Sequence, residues 1–72
     1  MERIKINTEY ITLGQLLKYV NLASSGGEVK VILANHTIFI DGEQDQRRGR
    51  KIYPGSKVEI DSLGTYVIND EA

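Results

Sequence analysis

The chain has 72 residues with no cysteine and a single histidine, which excludes disulfides and the usual zinc sites and leaves room for one domain over residues 1–72. Nine basic residues stand against ten acidic ones, and the net charge of −1 argues against a general affinity for nucleic acid. The N-terminus lacks the apolar segment of a signal peptide, and no apolar run approaches the roughly 18 residues of a membrane span, so we expect a cytoplasmic protein that does not enter membranes.

The start of the chain predicts a strand followed by a capped helix. Polar and apolar side chains alternate over residues 2–6, as in a strand or an extended arm. Thr12 and Gln15 have the spacing of a capping box, in which two side chains satisfy the free backbone groups at a helix start. Asn21 suits the stop of this helix. The apolar residues between them recur at helical spacing, at Leu13, Leu16, Leu17 and Val20.

A second helix is predicted soon after the first. Ser25 and Glu28 have the same capping-box spacing, and the carboxylate of Glu28 complements the positive end of the helix dipole. We expect this helix to end near residues 34–36. Its buried face is supplied by Val29, Ile32 and Leu33.

The second half of the chain predicts strands joined by turns, which together with the helices gives a small α+β domain. The sequence 43–51 has almost no apolar residues and is expected to be a loop. The other expected features, in chain order, are a strand at 37–40, a turn at Asp41-Gly42, a turn at Pro54-Gly55, a strand around 58–60, a turn at Leu63-Gly64, a strand at 65–68 and a frayed tail at 69–72.

Four of the nine basic residues are concentrated at Arg47, Arg48, Arg50 and Lys51. The rest of the chain therefore carries five basic and ten acidic residues, a net charge of −5. A basic patch on an acidic body indicates one anionic partner bound at one place, and guanidinium groups pair with phosphate bidentately. Gly49 lets the backbone approach a ligand closely. The alternative is a solvated loop that only aids solubility.

Two further features could contact a bound anion or base. Ser25, Gly26 and Gly27 would expose backbone amides at a helix start, where phosphate binds, although a plain helix cap explains the same residues. Lys30 follows on the same helix. Of the four tyrosines, Tyr53 is the best placed to stack on a base because it adjoins the basic run, although tyrosines also serve the core.

Catalysis finds no support in the sequence. There is no pairing of a nucleophile with a base, and His36 has no second histidine or cysteine as a metal-binding companion. The spacing of Asp41, Glu43 and Asp45 is similar to an EF-hand loop, but Gln46 and Arg47 follow where oxygen ligands are needed. We therefore expect no enzyme activity, no metal, no cofactor and no small-molecule substrate.

Several short motifs keep a fixed order along residues 12–60. They are a Leu-rich helix at Leu13, Leu16, Leu17 and Lys18, a turn at Leu22-Ala23-Ser24-Ser25, Glu28 with Lys30, a strand end at Ile38-Phe39-Ile40-Asp41-Gly42, and Pro54-Gly55-Ser56-Lys57-Val58-Glu59. In this order they resemble the RNA-binding domain named after ribosomal small-subunit protein four, whose fold is called the alpha-L motif. The Thr-Leu-Gly-Gln start, Ser25-Gly26-Gly27 and the run from Gln46 to Lys51 are similar to its stand-alone bacterial branch, the YaaA and YbcJ type.

The resemblance implies two short helices packed on a small, mostly antiparallel sheet. It also implies binding to structured RNA, ribosomal or transfer RNA, across the two helices and the following loop. We therefore expect a monomeric, non-catalytic RNA-binding module that acts on RNA or ribosomal particles. Its expected contacts are Arg47, Arg48, Arg50 and Lys51, with Lys18, Lys30, Ser25, Gly26, Gly27 and Tyr53.

Two other functions remain as alternatives. A protein-interaction adaptor could dock the same basic loop on an acidic protein surface. A sulfur carrier or ubiquitin-like protein would match the size and the mixed α+β content, but such carriers need a C-terminal Gly-Gly and this sequence ends Asn69-Asp70-Glu71-Ala72.

Overall fold

The computed structural model describes residues 1–71 and shows two helices and seven strands in that part of the chain. In chain order they are β1 (Glu2–Ile6), β2 (Ile11–Thr12), α1 (Leu13–Tyr19), α2 (Gly26–Asn35), β3 (Ile38–Ile40), β4 (Glu43–Gln44), β5 (Lys51–Ile52), β6 (Lys57–Ile60) and β7 (Gly64–Asp70). Five strands form a sheet in the order β1-β7-β6-β3-β4, in which β1 and β7 are parallel and the other pairs antiparallel. The pair β2-β5 is a separate antiparallel ribbon. The predicted α+β class with a mostly antiparallel sheet is confirmed.

Both helices begin at the predicted caps. The Gln15 amide donates to Thr12 Oγ1 and the Thr12 amide donates to Gln15 Oε1, which completes the capping box of α1. At α2 the Glu28 amide donates to Ser25 Oγ, but the Glu28 carboxylate accepts from the amide and hydroxyl of Ser24 instead of closing the box on Ser25. Within residues 1–71, neither helix is long and apolar enough to cross a membrane.

The core lies between the helices and one face of the five-stranded sheet. Alternate residues of the central strands point inward, so β6 contributes Val58 and Ile60, and β3 contributes Ile38 and Ile40. The helices contribute the apolar faces predicted from their spacing, with Leu13, Leu16, Leu17, Val29 and Ile32 buried and Leu33 partly buried against them. No polar or charged residue is fully buried in the described part of the chain.

The turn between β3 and β4 is the predicted Asp41-Gly42 turn. Both residues have positive φ, 53° at Asp41 and 86° at Gly42, as a two-residue hairpin with a type I′ turn requires. This hairpin pairs Ile40 with Glu43 and so starts a strand within the sequence that was predicted to be a loop. The pattern missed β4 because an exposed edge strand of two polar residues carries no apolar alternation.

Two further expectations at the strands are corrected. Lys51 belongs to β5 and pairs with Thr12 of β2, a strand that the sequence did not predict. The predicted frayed tail is wrong for Asn69 and Asp70, which continue β7 and pair with the N-terminal strand β1. The amide of Glu71 then donates to the Ile6 carbonyl at 2.9 Å. Ala72, the last residue of that predicted tail, lies outside the described residues.

Candidate nucleic-acid interface

The basic loop, residues 45–51, is anchored to the body of the protein by the side chain of Gln46. Its Oε1 accepts from the Ile38 amide at 2.9 Å, and its Nε2 donates to the carbonyls of Leu33 and His36 at 2.7 and 2.8 Å. These partners lie at the end of α2 and the start of β3, where backbone groups lack helical or sheet partners. One amide side chain therefore fixes the loop to two elements.

Two of the four cations of the loop, Arg47 and Arg50, form ion pairs with Asp45. Its carboxylate, whose side chain is 8% exposed, accepts from Arg47 Nη2 at 2.7 Å and from Arg50 Nη1 at 2.8 Å. The hydrogen bonds from Arg47, and then that from Arg50, hold the pKa of the Asp45 carboxyl far below its usual range, and the same contact raises the pKa of Arg47. Four positive charges and one negative charge leave the basic loop a net charge of +3.

The two arginines on Asp45 differ in how much of them remains accessible. The Arg47 side chain is 74% exposed, whereas that of Arg50 is 26% exposed and also donates from Nε to the Lys51 carbonyl. The Arg47 guanidinium group can therefore be reached from solvent while it is still paired with Asp45. Arg47 therefore remains able to contact a ligand, while Arg50 mainly orders the loop.

Arg48 lies across the start of both helices. A Cβ atom at Gly14 would be 3.0 Å from Arg48 Cγ, and one at Gly26 would be 2.9 Å from Arg48 Nη2. Glycine at these two positions therefore gives the side chain room to cross from the loop over α1 to α2. Within residues 1–71, no carboxylate forms an ion pair with Arg48.

The two helix starts under Arg48 are not equivalent. At α1 the amides of Leu13 and Gly14 donate to the carbonyls of Arg50 and Arg48, both at 2.9 Å, so the basic loop itself occupies this helix end. At α2 the amides of Gly26 and Gly27 have no acceptor in the described part of the chain. The α2 start therefore presents two backbone N–H donors next to the Arg48 guanidinium group.

Lys51 lies over the ring of Tyr10, which in turn contacts the ring of Tyr53. Its Nζ lies 5.0 Å from the centre of the Tyr10 ring, and the Tyr10 and Tyr53 rings are 5.7 Å apart and tilted by 51°. Tyr53 also lines a shallow groove of about 430 Å³ together with Arg47, Arg50 and Lys51. The predicted contact residue Tyr53 is thus brought next to three of the four loop cations.

The predicted lysines of the helices lie outside this cluster. Lys18 is exposed on α1 and lines a second, larger groove of about 870 Å³ beside Tyr10 and Tyr19. Lys30 is exposed on α2, one helical turn beyond the cap. Neither lysine forms an ion pair within residues 1–71.

Sequence reasoning missed four residues that shape this surface: Asp45, Gln46, Gly14 and Tyr10. The sequence did carry a signal for Asp45, because it lies two positions before Arg47 and is the acidic residue nearest the basic run. The roles of Gly14 and Tyr10 depend on contacts with residues more than 30 positions away, for which the sequence carries no local signal.

Comparison with known proteins agrees with the fold and with the motifs along residues 12–60. The family model described as "S4 domain" matches residues 4–69 of the chain. The chain is also 46% identical over 65 residues to a protein of Bacillus subtilis (strain 168) described as "Probable ribosome maturation protein RlbA", with 90% of this chain and 92% of that protein covered. The match to residues 4–69 includes the second half of β1, both helices, the basic loop and most of β7. The chain therefore belongs to the S4 domain family.

Proposed function

We propose that this protein is a non-catalytic RNA-binding module that holds the phosphate backbone of a structured RNA between the basic loop and the start of α2. The observation that carries the proposal is the position of Arg48, which reaches the open end of α2 without an ion-pair partner in the described residues. A guanidinium group and free helix amides together form a site that suits a phosphate, because both donate hydrogen bonds to its oxygens.

Each predicted residue at α2 has a distinct part in this proposal. Ser25 is the N-cap of α2, and its hydroxyl accepts from the Glu28 amide. The amides of Gly26 and Gly27, in the first turn of the helix, can therefore donate to a bound phosphate. Gly26 also admits Arg48, since any side chain there would meet its guanidinium group. Lys30, exposed on the same helix, can add a second charge to a neighbouring phosphate.

The remaining cations extend the contact along the RNA backbone. Arg47 and Lys51 are exposed and line one groove, and Lys18 lies beyond the tyrosine pair on α1. Arg50 supports the others by holding Asp45 in place. A rigid set of three to five phosphate contacts suits a folded RNA, whose phosphates have fixed spacing.

The likeness to the Bacillus subtilis protein narrows the class of RNA that we propose. That protein is described as a probable ribosome maturation protein. We therefore infer that this chain acts in the cytoplasm as a monomer on ribosomal RNA or on ribosomal particles, with transfer RNA as the other structured RNA to be tested.

The proposal is tested by measuring affinity for a structured ribosomal RNA fragment over a range of salt concentrations. With three to five phosphate contacts, the logarithm of affinity should fall against the logarithm of salt with a slope of about −2 to −4. Arg48→Gln should weaken binding about tenfold and reduce the slope by about one. Arg3→Gln, which removes the same charge from the exposed edge strand β1, is the matched control. A salt-independent affinity, or equal losses in both variants, would contradict the proposal.

A protein-interaction adaptor is separated from an RNA-binding module by a second measurement. The tagged protein is captured from cell extract with and without ribonuclease treatment. Release of the co-purifying material by ribonuclease is expected for an RNA-binding module. Partners that stay bound through Arg48 after ribonuclease treatment would favour the adaptor instead.

A further inference from the structure

We propose that Tyr53, supported by Tyr10 and flanked by Lys51, is a stacking platform that binds an unpaired base at the margin of the bound RNA. The inference rests on the proposed RNA-binding function and adds to it that the RNA has a single-stranded nucleotide next to its folded part. Its basis is the pair formed by the exposed ring of Tyr53 and the half-buried ring of Tyr10, with 5.7 Å between the centroids, and the Lys51 ammonium group 5.0 Å from the centre of the Tyr10 ring.

The two rings are not needed by the core. Tyr66 is the tyrosine that packs inside, at 6% exposure, and neither Tyr10 nor Tyr53 belongs to the core cluster. Tyr53 is 46% exposed even though it follows Ile52, which is 1% exposed. An aromatic face kept in water beside a buried residue is available to a flat apolar group, and stacking on such a face is favourable for every base.

The backbone holds Tyr53 in a fixed position. Its carbonyl accepts from the Ser56 amide at 3.1 Å across the turn that contains Pro54 and Gly55. The Gly55 amide in turn donates to the Ile68 carbonyl of β7 at 2.7 Å, which ties the turn to the sheet. A ring on such an anchored turn loses little freedom when a base stacks on it, so more of the contact energy remains as affinity.

The surroundings of the ring suit a nucleotide. The groove beside Tyr53 is lined by Arg47, Arg50 and Lys51, which can neutralise the phosphate of a nucleotide whose base lies on the ring. Asp41 also lines this groove, but its Oδ1 accepts from the Lys57 amide at 2.9 Å and is thereby held in the β3–β4 turn. Since Lys51 covers part of the Tyr10 ring, Tyr53 is the ring that takes the base and Tyr10 is the residue that positions it.

The test compares a blunt RNA hairpin with the same hairpin carrying a short single-stranded tail in which one base is 2-aminopurine. Stacking on tyrosine should quench the fluorescence of this base, and the tail should raise the affinity of the wild-type protein about fivefold or more. Tyr53→Leu should abolish the quenching and bring the ratio of the affinities for the tailed and blunt hairpins to about one. Tyr53→Phe keeps the ring and should retain both effects.

Tyr19→Leu is the matched control, because Tyr19 is 58% exposed but lies at the end of α1, outside the ring pair. Circular dichroism checks that each variant is folded. A wild-type protein that binds both hairpins equally, with binding still dependent on Arg48, would overturn the stacking platform and leave the proposed function standing. Loss of the tail effect in Tyr19→Leu but not in Tyr53→Leu would also overturn it. Failure to bind either hairpin would overturn both proposals together.

Discussion

At Asp45, a carboxylate with an 8% exposed side chain accepts hydrogen bonds from the side chains of Arg47 and Arg50 and from the Arg47 amide. Both guanidinium groups donate to the same oxygen, Oδ2, so this one carboxylate brings them together and offsets the repulsion between their charges. Because a hydrogen bond between charged groups contributes more than an ordinary one, this partly buried carboxylate stabilises the loop as well as neutralising part of its charge.

We expect Asp45→Asn to lower the free energy of unfolding by about 2 kcal/mol at neutral pH, since the charged acceptor is lost while both arginines remain. The folded-state pKa of Asp45 is depressed, so its contribution is present above the ordinary aspartate pKa of about 4 and is lost as pH falls below it. Urea unfolding followed across acidic pH should therefore show a shallower loss of stability in the variant than in the wild type.

Glu43→Gln is the control for this prediction, because Glu43 is exposed on β4 and forms no ion pair within residues 1–71. Its unfolding curve should match that of the wild type to within about 0.5 kcal/mol. If Asp45→Asn and Glu43→Gln gave the same acid dependence, the ion pairs of Asp45 would not stabilise the fold.

Two adjacent glycines at the start of α2 allow a test of the Arg48 position. Gly26→Ala places a methyl group 2.9 Å from Arg48 Nη2 and should displace the guanidinium group, which lowers RNA affinity about tenfold. At Gly27 the nearest atom to an added Cβ is Ser25 Oγ at 3.8 Å, so Gly27→Ala should bind RNA as the wild type does. Equal affinities for the two variants would contradict the placement of Arg48. Each of the two variants, Gly26→Ala and Gly27→Ala, should have a free energy of unfolding within about 1 kcal/mol of the wild-type value, as measured by thermal unfolding.

Between elements, the loop depends on hydrogen bonds to the end of α2 and to the start of β3. The side chain of Gln46 forms three of these hydrogen bonds. At the start of α1, two backbone amides donate to the carbonyls of Arg48 and Arg50. The basic loop is therefore fixed at one side by a side chain and at the other by its own backbone. This arrangement explains how a segment with almost no apolar residues holds a defined shape.

We expect Gln46→Ala to lower the free energy of unfolding by about 2 kcal/mol, because the Ile38 amide and two carbonyls lose their partners in a partly buried place. Gln44→Ala, on the exposed edge strand β4, should change it by less than about 0.5 kcal/mol. Urea unfolding at neutral pH measures both. A loss in Gln44→Ala as large as that in Gln46→Ala would show that the anchor is not specific.

In the whole molecule, the first and last strands are neighbours. β1 lies at an edge of the sheet and pairs in parallel with β7, which extends through Asp70. Both strands contribute to the core, through Ile4 and Ile6 on one and Tyr66 and Ile68 on the other. A domain this small buries little apolar surface, so the pairing of β1 with β7 is an important part of what stabilises the sheet.

Hydrogen exchange followed by NMR tests this pairing. The amide of Glu71 donates to the Ile6 carbonyl and should exchange many times more slowly than an amide in a frayed tail. Ile6→Pro leaves that carbonyl in place but breaks the regular strand, so the protection of Glu71 should decrease with it. Rapid exchange at Glu71 in the wild-type protein would place the end of β7 earlier in the chain.

Much of the fold followed from local patterns. The cap of α1 at Thr12, the start of α2 at Ser25 and the hairpin turn at Asp41-Gly42 all lie where the sequence predicts them, because each depends on residues within a few positions along the chain. The strands β2, β4 and β5 were not predicted. They are two residues long, and β2 pairs with β5 only because the tertiary fold brings together two segments that lie far apart in the sequence.

The sequence by itself determined the fold class, the two helices with their apolar faces, and the concentration of cations at Arg47–Lys51. Only the tertiary structure decided what each cation does: Arg50 orders the loop, Arg48 reaches the open start of α2, and Lys51 faces a tyrosine. The physical reason is that a helix or a turn depends on near neighbours, whereas the free charge of an arginine depends on which carboxylate, glycine or ring the folded chain brings within about 4 to 6 Å of it.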